Sequence, residues 1–243
     1  MESQSPVDPA PAARLSPFGL PCGLVVTAAA MPAAMVALDI LDPCQAEADL
    51  EISHAGFSFA ARTDMMGLLT VDIPAFETPA FVTVRSGDDD AVMAIAGLPD
   101  LADYMRVAIA WDGDLGLAFH AFAAGADFGV PGHIWQGTPG TVTDMLAGQG
   151  GFLTVLGDPH LTPSRQIQIF SIPQAQANDL RLALDIPINP ATCDRPLVAQ
   201  AMQLTQSGAV DIWPITVTLP GCDAVGDFLM LQNLFEAPRL AAN

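Results

Sequence analysis

Imidazoles are the most versatile groups in this chain. Three of its four histidines, His120, His133 and His160, fall in or beside one Gly-rich stretch, while His54 stands apart. Imidazole with carboxylate suits zinc, iron or manganese, so Asp112, Asp114, His120, His133, Asp158 and His160 could together hold the ion of a metal-dependent hydrolase. No His-x-His or His-Glu-x-x-His spacing converges them, and the plainer reading puts His120 on a strand, facing away from the core or satisfied within it, with His133 and His160 in loops. No metal site and no cofactor are assigned on this pattern. Asp88-Asp89-Asp90 after Gly87 offers oxygen ligands for calcium but lacks the Asp-x-Asp-x-Asp-Gly order of a calcium loop, and so reads as a solvated turn.

Other reaction signatures are missing. All 8 cationic residues are arginines, which excludes a phosphate-binding P-loop, a Schiff-base lysine and a pyridoxal-phosphate anchor. There is no Gly-x-Ser-x-Gly elbow, and 27 carboxylates single out no pair for glycoside hydrolysis, so no catalytic residue is assigned. Aromatic stacking is the remaining chemistry: Trp111, Trp135, Trp213, Tyr104 and Phe128 could form a platform for sugar or peptide. Trp111 is in phase with Val107 and Ile109 and belongs to a core, whereas Trp135 lies in the Gly-rich stretch, where an indole needs a pocket or a ligand. Trp135, His133 and Phe128 are therefore the candidate binding residues.

The elements that must position these groups are strands. In 243 residues, 51% hydrophobic and 14% charged, the dominant signal is period two. Phe57 and Phe59 alternate with Ser58 and Ala60; Leu69, Val71 and Ile73 with Thr70 and Asp72; Leu180, Leu182, Leu184 and Ile186 with Arg181, Ala183 and Asp185. A half-buried strand puts those last four on one face, where a helix would scatter them. Val107 to Trp111, an Asp112-Gly113-Asp114 turn and Leu115 to Phe119 read as a hairpin, and further strands follow at 153–156, 166–172, 197–204 and 210–219. The expected fold is all-β with little helix: two β-sandwich-like units in series, an N-terminal one over 18–100 and a C-terminal one over 101–243. The loop 125–151, Gly-rich with Pro131 and Pro139, carries Phe128, Ile134 and Trp135. These are expected to dock onto the sandwich as a strap, with His133 at its surface end. Residues 1–17, with prolines at 6, 9, 11 and 17, read as a disordered Pro/Ala linker.

Compartment and partners follow from charge and cysteine. The segment 18–41 approaches membrane length, but Pro21 and Pro32 interrupt it and Asp39 closes it, so no transmembrane segment is expected. It is also a poor signal peptide, since Glu2 and Asp8 precede it with Arg14 as the lone cation; Val25, Ala29, Met35, Ala37 and Ile40 suit one or two buried strands instead. A net charge of −19 and scattered arginines argue against nucleic acid as a partner. Cys22, Cys44, Cys193 and Cys222 form two sequence-local pairs without any Cys-x-x-Cys, a pattern that fits two structural disulfides better than zinc. Three connectivities are possible, with Cys22–Cys44 and Cys193–Cys222 favoured; four buried thiols in a reducing cytosol are the alternative.

Several motifs occur in a familiar order. HAGFSFAARTD (54–64) with LLTVDIPAF (68–76), RVAIAW (106–111), FHAFAAGADFGVPGHIW (119–135), GGFLTVLGDP (150–159) and PGCDAVGDFLMLQN (220–233) resemble a family of uncharacterised bacterial proteins often labelled "translocase". The resemblance covers residues 20–240 and implies no established activity. In that family such a domain often follows an N-terminal hydrophobic segment and a Pro/Ala-rich spacer, and residues 1–17 look like the end of one. Thr63 to Pro74, Thr-Asp-x-x-Gly-x-x-x-Val-x-Ile-Pro, is also similar to the strand pattern of transthyretin-like and carboxypeptidase-regulatory sandwiches. The leading expectation is a non-catalytic, extracytoplasmic β-sandwich, periplasmic or envelope-associated, that binds or scaffolds an unknown protein or envelope ligand. An accessory part of an export or cell-envelope assembly is the second reading, and the metal-dependent hydrolase is the third.

Overall fold

The computed structural model describes residues 14–87, 90–232 and 234–235, and nearly all their regular structure is antiparallel strand. The first half of the chain supplies β1 (Val25–Met31), β2 (Met35–Leu41), β3 (Asp49–His54), β4 (Phe57–Arg62), β5 (Leu68–Pro74), β6 (Ala80–Ser86) and β7 (Asp90–Ala96). They form two sheets, ordered β1-β2-β5 and β4-β3-β6-β7. Alternation decides what each strand buries: Leu50 and Ile52 on β3, Phe57 and Phe59 on β4, and Val82 and Val84 on β6 all face one core. Segment 18–41 is a hairpin, in which β2 buries Met35 and Ile40. Val25 and Ala29 depart from the expected burial, because β1 is the sheet's edge strand and Val25 is 51% exposed.

The second half supplies β8 (Tyr104–Asp112), β9 (Ala118–Phe122), β10 (His133–Ile134), the short helix α1 (Val142–Leu146), β11 (Phe152–Leu156), β12 (Arg165–Pro173), β13 (Arg181–Pro187), β14 (Pro196–Leu204), β15 (Val210–Thr218) and β16 (Phe228–Gln232). These give a five-stranded sheet, β11-β12-β8-β14-β15, and a four-stranded sheet, β10-β9-β13-β16. The five-stranded sheet is buried on both faces. Val107, Ile109, Phe170 and Ile172 pack towards the four-stranded sheet, while Ala108, Ile167, Ile169 and Met202 complete the core of the N-terminal sheets. Double burial explains the nearly continuous apolar run of β8. The expected hairpin from Val107 to Phe119 does not form, because β12 and β14 occupy both edges of β8 and β9 pairs with β10 and β13 in the other sheet. Turn residues signal a change of direction but not the next partner. Here the corner is tied by Gly113 N–H to Ser164 O (2.8 Å), with Gly113 at φ 90°.

One buried side chain ties the five-stranded sheet to the N-terminal turns. Arg106 on β8 is fully buried, and its guanidinium donates to the carbonyls of Ala33, Ala34 and Ala75 and, through Nε, to Ser171 Oγ (3.2 Å). Ala33 and Ala34 form the β1–β2 turn at φ 64° and 50°, a left-handed conformation that costs an alanine roughly 1 kcal/mol or more. The cation holds that turn from within, and Asp100 holds it from outside by accepting Ala34 N–H (3.2 Å). Burial pushes the Arg106 pKa down to about 9, which leaves it charged at neutral pH.

Cys22 is bonded to Cys44 and Cys193 to Cys222, as favoured, and no cysteine is free. Each bond spans the open end of a hairpin, β1–β2 in one case and β14–β15 in the other. Of the linker stretch, residues 14–17 are described: Ser16 N–H donates to Leu20 O (2.7 Å) and Cys22 N–H to Arg14 O (2.8 Å), folding the segment back on itself. No helix among the described residues is long and apolar enough to cross a membrane.

Candidate functional site

The outer face of the four-stranded sheet, away from the core, collects the candidate residues. On β9 the alternation sends Phe119 and Ala121 to the core, and Ala118, His120 and Phe122 to the outer face. β10 pairs with β9 so that His133 sits opposite Phe122, and β13 pairs so that Ala183 sits opposite His120 and Asp185 opposite Ala118. β16 adds Met230 opposite Asp185. The segment between β9 and β10 folds over this face. Ala123 N–H donates to Gly132 O (2.9 Å) and His133 N–H to Val130 O (3.0 Å). Gly132, at φ 96°, lies so close to Ala123 that a Cβ would stand 2.9 Å from its carbonyl oxygen.

A hydrogen-bonded chain runs through the site. Gly129 N–H donates to His133 Nδ1 (3.0 Å), so the ring proton of His133 is on Nε2, which donates to His120 Nδ1 (2.8 Å). The proton of His120 is then on Nε2, which faces Asp185 Oδ2 at 3.4 Å. His120 Nε2 and Asp185 Oδ1 are buried and have no hydrogen-bond partner among the described residues. Burial pushes the pKa of His120 below the ordinary histidine value, with Asp185 opposing and His133 reinforcing the shift; burial lowers His133 likewise, against Asp185. Both rings are neutral at neutral pH.

Aromatic rings stack around this chain. His133 lies parallel to Phe122 (4.8 Å between centroids, 5°) and to Trp135 (5.9 Å, 3°), and His120 is nearly parallel to Trp135 (5.3 Å, 16°). Phe128 stands edge-on to His133 at 5.1 Å and to Phe122 at 4.8 Å. Arg181 caps the array, its guanidinium carbon 4.4 Å from the Phe122 centroid, while it donates to Ala126 O and Asp127. Between the rings and β16 is a cavity of about 450 Å³, with apolar walls from Phe128, Trp135, Phe228 and Met230. His120, His133 and Asp185 are its polar residues.

Trp135, His133 and Phe128 thus lie together, though not as a simple strap. Ile134 is buried in the core, Trp135 is half-buried and Phe128 is 49% exposed. His133 is buried at 8% exposure instead of standing at the surface, because the segment folds over it and Gly129 occupies its outer nitrogen. Asp185 completes the cluster and was not among the sequence candidates. Its one signal is its outward position on a strand whose leucines face the core.

The other candidates lie elsewhere. Of the six metal candidates, His120 and His133 meet; Asp112 lies 3.8 Å from Arg165, Asp114 is exposed, and Asp158 accepts His160 N–H (2.8 Å) in the turn after β11. Among the described residues no group of three or more His, Cys, Asp or Glu side chains is arranged to hold a metal ion. Asp88 and Asp89 lie outside the described residues. Trp111 and Trp213 pack in or against the core between the two C-terminal sheets, and Tyr104 packs by the N-terminal core. His54 is structural: Nδ1 donates to Phe81 O (3.0 Å) and Nε2 accepts Phe76 N–H (2.9 Å). No protein-family model and no curated protein sequence matches the chain.

Proposed function

We propose that this protein is a non-catalytic, extracytoplasmic binding protein whose ligand site is the aromatic and imidazole pocket on the outer face of β9, β13 and β16. The observation that carries the reading is the pair of unpartnered buried atoms, His120 Nε2 and Asp185 Oδ1, at an otherwise apolar cavity. Leaving such an atom unpaired costs roughly 1–3 kcal/mol, and a ligand that donates to Asp185 Oδ1 recovers that cost, while His120 Nε2–H keeps its contact with Asp185 Oδ2 at 3.4 Å. Cavities of this size with few polar groups are the usual form of small-ligand sites. The imidazole chain favours binding over catalysis, because it ends at a backbone N–H, and the described residues of the pocket lining include no hydroxyl, thiol or amine. Two disulfides support an oxidising compartment.

The test is an NMR titration with phenol and with indole. Saturable shifts at the Trp135 indole N–H and the His120 and His133 rings, abolished in Trp135→Ala, are expected. Absence of any saturable shift with phenol, indole, benzamidine or benzamide would overturn the pocket as a ligand site.

A further inference from the structure

We infer that the pocket takes a flat organic cation, a guanidinium or amidinium group; this rests on the pocket being the ligand site. The polar atoms of the pocket set the requirement. Asp185 Oδ1 is a buried acceptor without a donor, and its partner oxygen Oδ2 faces a single N–H, that of His120 at 3.4 Å. His133 is held neutral by geometry: its Nδ1 accepts Gly129 N–H, so protonation there would break that bond. His120 is in the same position, since its Nδ1 accepts from His133. Among the described residues no cationic side chain lines the pocket, so there the Asp185 carboxylate brings a negative charge that the described walls do not offset. A neutral hydroxyl could pair Oδ1 but would leave that charge beside an apolar cavity, whereas a cation with N–H donors answers both the lone pair and the charge.

Shape narrows the cation. The walls include rings lying parallel within 16°, whose flat faces suit a planar group better than a tetrahedral ammonium. The molecule already makes this contact once: Arg181 lays its guanidinium over Phe122 at 4.4 Å, at the other end of the same array, and completes its bonding with a carboxylate and a carbonyl. In the pocket the equivalent arrangement is a guanidinium or amidinium over Trp135, donating to Asp185. The field of the whole chain, at −19, draws a cation in.

The experiment is calorimetric titration of the intact, disulfide-bonded protein with benzamidine and with its neutral isostere benzamide. Benzamidine is expected to bind one to one and at least about tenfold more tightly than benzamide, the scale of a charge-assisted pair. In Asp185→Asn, which keeps the shape, benzamidine should fall to the benzamide level; in Trp135→Ala both should weaken together. A melting curve on each variant confirms folding. The peptides acetyl-Gly-Arg-Gly-amide and acetyl-Gly-citrulline-Gly-amide separate the two sources of such a cation. Preference for the arginine peptide at an affinity equal to or above that of benzamidine supports an arginine side chain of a protein partner, and binding of benzamidine alone supports a free small molecule. Equal affinities for benzamidine and benzamide, or binding of phenol or indole without benzamidine, overturn the cation and leave the pocket standing. Failure of benzamidine, benzamide, phenol and indole alike overturns both.

Discussion

The three histidines His54, His120 and His133 share one electrostatic situation: burial holds each below the ordinary histidine pKa in the folded protein. Above about pH 6.5 folded and unfolded chains both carry neutral rings, and these residues add no pH dependence. As pH falls through about 6.5 the unfolded chain takes up protons that the folded chain resists, so stability falls with acidity. The urea midpoint should therefore be lower at pH 5.5 than at pH 8; an unchanged midpoint would mean the rings are not buried as described. Side chains around the pocket divide by exposure. Phe128→Ala should cost less than about 1 kcal/mol, because half the ring is already in water, whereas Trp135→Ala should cost about 2 kcal/mol, below the 3–5 of a fully buried aromatic. Denaturation of the two variants under one condition checks the order. At this scale Trp135, His133 and Phe128 were legible, because bulky apolar or ring side chains in a Gly-rich stretch must find cover. Asp185 was not, since an aspartate alternating with leucines looks like any solvated strand residue until the pairing of β13 with β9 is known.

At the scale of elements, alternation located most strands within a residue or two and chose their buried faces correctly where one face is wet, as with Leu184 and Ile186 on β13. It failed where the partner mattered. Nothing in Val107 to Phe119 distinguishes a hairpin from a strand that turns and crosses to another sheet, because that depends on β12 and β14 closing both edges of β8. The same blindness hid Arg106, which begins an apolar run and looks like a strand-end cation but points inward, between the five-stranded sheet and the N-terminal turns. Arg106→Met should cost on the order of 3 kcal/mol, since the replacement fills the volume but takes the guanidinium from the carbonyls of Ala33, Ala34 and Ala75. Hydrogen exchange should show the loss first at the β1–β2 turn, and a variant with unaltered protection there would refute the assigned role.

At the scale of the whole molecule, the five-stranded sheet serves two cores, so the N-terminal and C-terminal sheets share their central layer. The disulfides sit at the periphery of this arrangement, on hairpins that contribute the edge strands β1 and β15. Their effect on stability by loop closure is roughly 3 kcal/mol each. The second of them also changes what a broken backbone means. The β14–β15 turn is exposed at Gln206, Ser207 and Gly208, which makes it a natural cutting site for a nonspecific protease. A cut there leaves everything from β15 onward, including the Phe228 and Met230 wall of the pocket, attached to the rest through Cys193–Cys222. Cleaved protein should run as one species without reductant and as two with it, and should still bind a pocket probe until the bond is reduced. The pocket would then outlast a severed chain.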